Sequence, residues 1–171
     1  MFLGTEMKHT FSREQSGFSL IELLIVVAII LVLAAMAMPN FLRGKISANE
    51  ASAVSSLRTI HTAQTSYAIA YPTIGYADEL TKLSYPTGSN PVSSTSAGLI
   101  DWVLGCASQP CEKSGYMFSI VNATGTPVDA FEVIAVPKMQ GHTGIRSFCS
   151  DQVPVIKYDP SGAPSCTKVL Q

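Results

Sequence analysis

Between Phe18 and Leu42 the chain carries one charge, Glu22, and from Leu23 to Met38 every residue is apolar. As a helix rising 1.5 Å per residue, those 25 residues would form a rod of about 38 Å, longer than the roughly 30 Å hydrocarbon layer of a bilayer. The segment can therefore span a membrane. The rest of the 171 residues leaves room for one ordinary domain. It is rich in Ser, Thr, Gly and Pro, so the 47% hydrophobic content overstates its apolarity. With 11 Lys and Arg against 12 Asp and Glu, the net charge of -1 supplies no general reason to bind nucleic acid or an anionic surface.

The residues before the run are polar and mixed in charge, with Glu6, Lys8, Arg13 and Glu14. An ordinary secretory signal would place a small-residue cleavage site after the apolar core. Here the run closes on Met38, Pro39 and Asn40, which offers no clean site of that kind. Flanking charge does not set the orientation, because Lys8 and Arg13 precede the span while Arg43, Lys45 and Arg58 follow it.

From Ile46 to Tyr71 the pattern becomes amphipathic. Ile46, Ala53, Val54, Leu57, Ile60, Tyr67 and Tyr71 recur at helical steps, and Pro72 ends the helix by pushing the residue before it out of helical angles. Residues 72–114 are dense in breakers and read as an exposed loop with short helical turns near Asp78 to Leu83. One apolar cluster, Leu99, Ile100, Trp102, Val103 and Leu104, is expected to dock that loop on the core. Residues 115–171 read as a small antiparallel sheet. Its strands are expected at Tyr116 to Val121, Phe131 to Val136, Ile145 to Cys149 and Val153 to Tyr158, with a hairpin loop over Asn122 to Pro127.

All four cysteines, Cys106, Cys111, Cys149 and Cys166, follow the apolar run. If that side is exported they should be oxidised, and three pairings are open, of which the bonding of sequence neighbours is the simplest. Their spacings match no zinc knuckle and no His adjoins them, so no metal is expected. No phosphate-binding loop, dinucleotide fingerprint, zinc-protease helix or nucleophile elbow occurs, and no catalytic residue or cofactor is assigned. Gly141 to Gly144 reads as a turn. His142, Cys149 and Asp151 could compose a thiol site by residue type alone, against which stands the bridging role open to Cys149.

The order Gly17-Phe18-Ser19-Leu20-Ile21-Glu22 directly before the apolar run resembles the processing site of type IV pilins and the related pseudopilins of type II secretion. The resemblance implies a leader over 1–17, cleavage after Gly17 by a prepilin peptidase, N-methylation of Phe18, and retention of the apolar helix over 18–42. It also implies a homo-oligomeric helical filament, put together by an assembly ATPase and a platform protein from subunits held in the bacterial inner membrane. Such filaments serve adhesion, twitching motility or protein secretion. A carboxylate inside a membrane helix costs on the order of 2.5 to 3.5 kcal/mol, so Glu22 calls for a partner or for headgroup water. In the family reading its partner is the new ammonium of Phe18 on a neighbouring subunit. Pro39 must kink or loosen the helix; the resemblance implies that helical order is lost there on assembly, and a static kink is the alternative.

The expected fold is α+β. A long N-terminal helix, apolar in its first half and amphipathic to about residue 71 in its second, packs on a small C-terminal antiparallel sheet within residues 43–171. The expected role is that of a structural subunit of a surface filament. A type II secretion pseudopilin and an uncleaved single-pass anchor displaying a binding domain are the alternatives.

Overall fold

The computed structural model describes residues 17–88 and 90–170. Of the leader expected over 1–17, all but Gly17 lies outside the described residues. Helix α1 spans Leu20–Ala70 and includes Pro39; α2 spans Leu80–Leu83. Six strands follow: β1 Cys111–Lys113, β2 Tyr116–Gly125, β3 Val128–Pro137, β4 Ser147–Asp151, β5 Ile156–Asp159 and β6 Lys168–Val169. The chain divides into two compact units between Pro39 and Asn40. The protein is α+β, with the long N-terminal helix packed, over its second half, on an antiparallel sheet in which the strands pair in chain order.

In the second unit the buried stripe of α1 runs through Glu50, Ala53, Leu57, Ile60, Gln64 and Tyr67. Steps of three and four residues keep these side chains on one face. On the sheet side, alternate residues of β2 (Tyr116, Phe118, Ile120) and β3 (Phe131, Val133, Ala135) point into the same core. A buried aliphatic or aromatic side chain of this kind contributes roughly 1.5 to 3 kcal/mol. The helix ends as Pro72 requires: Ala70 is its last residue, and the Ile74 and Gly75 amides turn back to the Tyr71 carbonyl.

Two polar residues interrupt the apolar stripe, and each holds a distant segment. The Gln64 amide group donates to the Ala77 carbonyl and accepts from the Ala77 N–H, both at 2.8 Å. Glu50 is buried and fully engaged. Its Oε1 accepts the N–H groups of Ile145 and Arg146, both at 3.1 Å, and its Oε2 accepts Nε and Nη2 of Arg146 at 2.9 and 2.6 Å. Sheet and helix are thus joined by a two-pronged, charge-assisted contact as well as by apolar packing. Arg146 also lies 5.4 Å from the ring centroid of Phe148 and 5.5 Å from that of Tyr158.

The structure revises several expectations. Residues 72–114 are not mainly an exposed loop. Ala77, Leu80, Leu83, Ala97, Ile100 and Leu104 all enter the core, in an irregular spacing that periodicity cannot detect. The hairpin loop expected over Asn122 to Pro127 is shorter, because pairing continues to Gly125 opposite Val128. Asn122, at φ 54°, lies next to the register shift between Val121 and Thr124, and asparagine tolerates that left-handed conformation. Strand β4 starts at Ser147 rather than Ile145, and β5 at Ile156 rather than Val153. β4 shows no alternation, since Ser147, Phe148, Cys149 and Ser150 are all buried. Its far face is covered by the chain near Ala163, whose carbonyl accepts the Ser147 hydroxyl. β1 and β6 were not expected; at three and two residues they are too short to leave a pattern.

Burial tends to raise the Glu50 pKa, but the hydrogen bonds and charge of Arg146 with the two backbone amides outweigh it and hold the carboxyl below its ordinary value of 4.5. The contact therefore stabilises the fold fully above that ordinary value and loses its contribution as pH falls through the lowered one. Glu50→Gln is expected to lose about 1 to 3 kcal/mol at neutral pH, the range for a buried pair whose cation is half exposed. Thermal unfolding of the full chain in detergent between pH 7 and pH 3 should show the parent converging on the variant at the acid end.

Candidate assembly surface

The first turn of α1 begins beside Ser19, whose carbonyl accepts the N–H groups of Glu22 and Leu23 at 3.1 and 3.2 Å. Ser19 stands at the N-cap position with Glu22 three residues on, the order of a capping box. A carboxylate in the first turn also meets the positive end of the helix dipole. Helix start and acidic residue are thus mutually consistent before any second molecule is considered.

From Phe18 to Leu42 the side chains form a sleeve of Leu, Ile, Val, Met, Ala and Phe. Every residue there except Ala34 is exposed, and Phe18 is 79% accessible. The most apolar 18-residue window has a mean hydropathy of 3.1 and none of it is buried; the helix is long and apolar enough to cross a membrane. An exposed apolar surface of this extent marks a site meant for another apolar phase. Glu22 is exposed on this sleeve and is its one ionisable group. Pro39 lies within the helix and, having no N–H, leaves the Ala35 carbonyl without its usual helical donor. Among the described residues a Cβ at Gly17 would meet nothing within 4 Å.

The cysteines are bonded as sequence neighbours. Cys106 joins Cys111, the first residue of β1, with Cα atoms 5.5 Å apart, and Cys149 in β4 joins Cys166 with Cα atoms 5.9 Å apart. The thiol arrangement imagined from residue types is therefore not assembled: Cys149 is bridged, and Asp151 accepts the Lys157 ammonium at 2.8 Å. Gly141 to Gly144 is a turn closed by the Gly141 N–H on the Gly144 carbonyl at 2.8 Å. Among the described residues no group of three or more His, Cys, Asp and Glu side chains could hold a metal ion. Within the apolar cluster, Ile100 and Leu104 dock as expected but Trp102 stays outside, 76% accessible. Glu50 and Gln64, the residues that fix loops to the helix, were missed because their partners lie far along the chain. The one signal was their phase with Ala53, Leu57 and Ile60.

A helix with an exposed apolar half, an acidic first turn and a second half packed on an antiparallel sheet has the architecture of an assembly subunit. Residues 12–38 match the family profile described as the prokaryotic N-terminal methylation motif. The chain is 30% identical over 161 residues to the type IV major pilin protein PilA of Myxococcus xanthus, covering 94% of this chain and 66% of that protein. It is 34% identical over 132 residues to the type IV wide pilus major component PilA4 of Thermus thermophilus, covering 77% of each. No solved structure matches. The chain belongs to the type IV pilin family. Both relatives are named for pilus components rather than for catalysis.

Closing the loop between Cys149 and Cys166 by a disulfide contributes about 3 kcal/mol by loop entropy. Cys149→Ser with Cys166→Ser is thus expected to lower the unfolding free energy by about 3 kcal/mol, read as a lower denaturant midpoint. Alkylation of the unreduced parent should label no cysteine, and four after reduction.

Proposed function

We propose that this pilin is the structural subunit of a type IV pilus, cut between Gly17 and Phe18, N-methylated on Phe18 and polymerised through the helix that begins there. The observation that carries the proposal is the sleeve over 18–42. It carries a single charge, Glu22, is unbroken in apolar residues from Leu23 to Met38, and is exposed in the isolated chain. Before assembly the bilayer covers the sleeve, with the second unit on the exported side, where disulfides form. After assembly the equivalent helices of other subunits cover it.

Moving an apolar side chain from lipid to a helix bundle gains little hydrophobic energy, since both surroundings are apolar. Register must then come from something else, and Glu22 supplies it. Cleavage creates an ammonium on Phe18, just before the first turn of the helix that carries Glu22. Paired between neighbours, this ammonium and the Glu22 carboxylate neutralise each other in a medium where either alone is costly. Pro39 supplies a point where the helix can yield as the subunits pack. A prepilin peptidase, an assembly ATPase and a platform membrane protein complete the pathway, and the product is an extracellular filament.

Glu22→Ala is expected to leave cleavage after Gly17 intact while filament yield falls by about tenfold or more, the loss that goes with about 1.4 kcal/mol or more per subunit contact. Immunoblots of membranes for mature subunit, alongside electron microscopy of sheared fibres, check both arms. Normal fibres from the variant would remove Glu22 from the account.

A further inference from the structure

The region following α2 carries a second feature, unrelated to the apolar sleeve. An open groove of about 700 Å³ runs between the α2 end, residues 85–87 with Asn90 and Pro91, and the segment around Trp102 to Ala107. None of the residues lining it is charged. Two of them are large exposed aromatics: Trp102, 76% accessible, and Tyr85, 62% accessible. Most of the others are Ser, Thr, Asn or Pro. Among the described residues the Tyr85 phenol and the Thr87 hydroxyl make no hydrogen bond.

Trp102 is the chain's one tryptophan, and its neighbours Ile100 and Leu104 are buried to within 2%. Its exposure is therefore not that of a frayed segment. The groove's walls are fixed from several sides. The Tyr67 hydroxyl, from the buried stripe of α1, donates to the Ser94 carbonyl at 2.6 Å. The Ser96 hydroxyl and the Gly98 N–H both donate to the Ser84 carbonyl, at 3.0 and 2.8 Å. The Leu99 N–H donates to Leu83 at 2.8 Å. Cys106 is tied to Cys111, and Gly105 passes so close to Ser84 that any Cβ would collide with it. Two exposed aromatic side chains thus stand on an uncharged frame that is tied down at Ser84, Ser94, Leu99 and Cys106.

That chemistry is selective. An anionic ligand would find no cation in the groove and a cationic one no carboxylate. A purely apolar ligand would strand the hydroxyls and amides that line it. A pyranose ring matches both surfaces: its C–H face packs on an aromatic ring, while its hydroxyls exchange hydrogen bonds with Ser, Thr, Tyr and Asn groups. We propose that this groove binds a neutral oligosaccharide, with Trp102 and Tyr85 as the stacking platforms. The inference concerns the single subunit and stands apart from the filament reading, although a filament would multiply weak single sites into strong attachment.

Trp102 makes the test direct, because all tryptophan emission comes from the groove. The full chain in detergent is titrated with cellohexaose, maltohexaose and chitohexaose, with a heparin hexasaccharide and a polyproline peptide as the charged and peptide arms. The expected result is a saturable emission change with at least one neutral sugar below about 10 mM, weaker than a typical micromolar site by design of its exposure. Tyr85→Ala, which keeps the reporter and is exposed enough to leave folding intact, should weaken that binding about tenfold. Trp102→Phe, followed by calorimetry, should retain part of it. No response to any of the three neutral sugars would overturn the proposal, as would a response to the peptide or to heparin alone.

Discussion

The structure depends on one helix whose two halves answer to different partners. From Glu50 onward, side chains at helical spacing are covered by the chain's own sheet. Before Ile46 none is buried, and the residues are nearly all apolar. A water-soluble molecule cannot keep such a surface, because each exposed aliphatic side chain forgoes the free energy that burial would give. Membrane insertion or association is therefore required of the first half, and the second half must stay folded through either fate. Most other features follow from that demand.

Stability of the second unit rests on contacts that do not involve the sleeve. Glu50 joins the helix to the start of β4, and Gln64 joins it to the segment leading into α2. Cys149 and Cys166 tie the C-terminal segment over β4. Each lies within the second unit, spanning 96, 13 and 17 positions of the chain, and none depends on what covers the first half of the helix. The region after α2 is tied down in the same way, at Ser84, Ser94, Leu99 and Cys106, beside its uncharged aromatic groove.

Much of this was legible in the residues. The order Gly17-Phe18 followed by Glu22 in an apolar run is local, and so is the stripe through Ala53, Leu57, Ile60 and Tyr67. β2 and β3 were legible as β-rich runs around a turn. What escaped was whatever depends on a distant partner. Glu50 reads as a solvent carboxylate until Arg146, 96 positions away, is brought beside it. Ser147 to Cys149 lose their alternation only because the C-terminal segment covers the second face. Leu80, Leu83 and Ile100 sit among breakers, without a period to mark them as core. The cysteine pairing was one of three open choices, and spacing alone could not select it.

The central claim is that the apolar helix is kept and its N-terminus made anew. It is tested most directly by intact-mass and N-terminal fragment analysis of subunits taken from sheared surface fibres. The account predicts the 154 residues that remain when 17 are removed from 171, beginning at Phe18 and heavier by one methyl group. A subunit that still begins at Met1, or one cut after the apolar run, would contradict it.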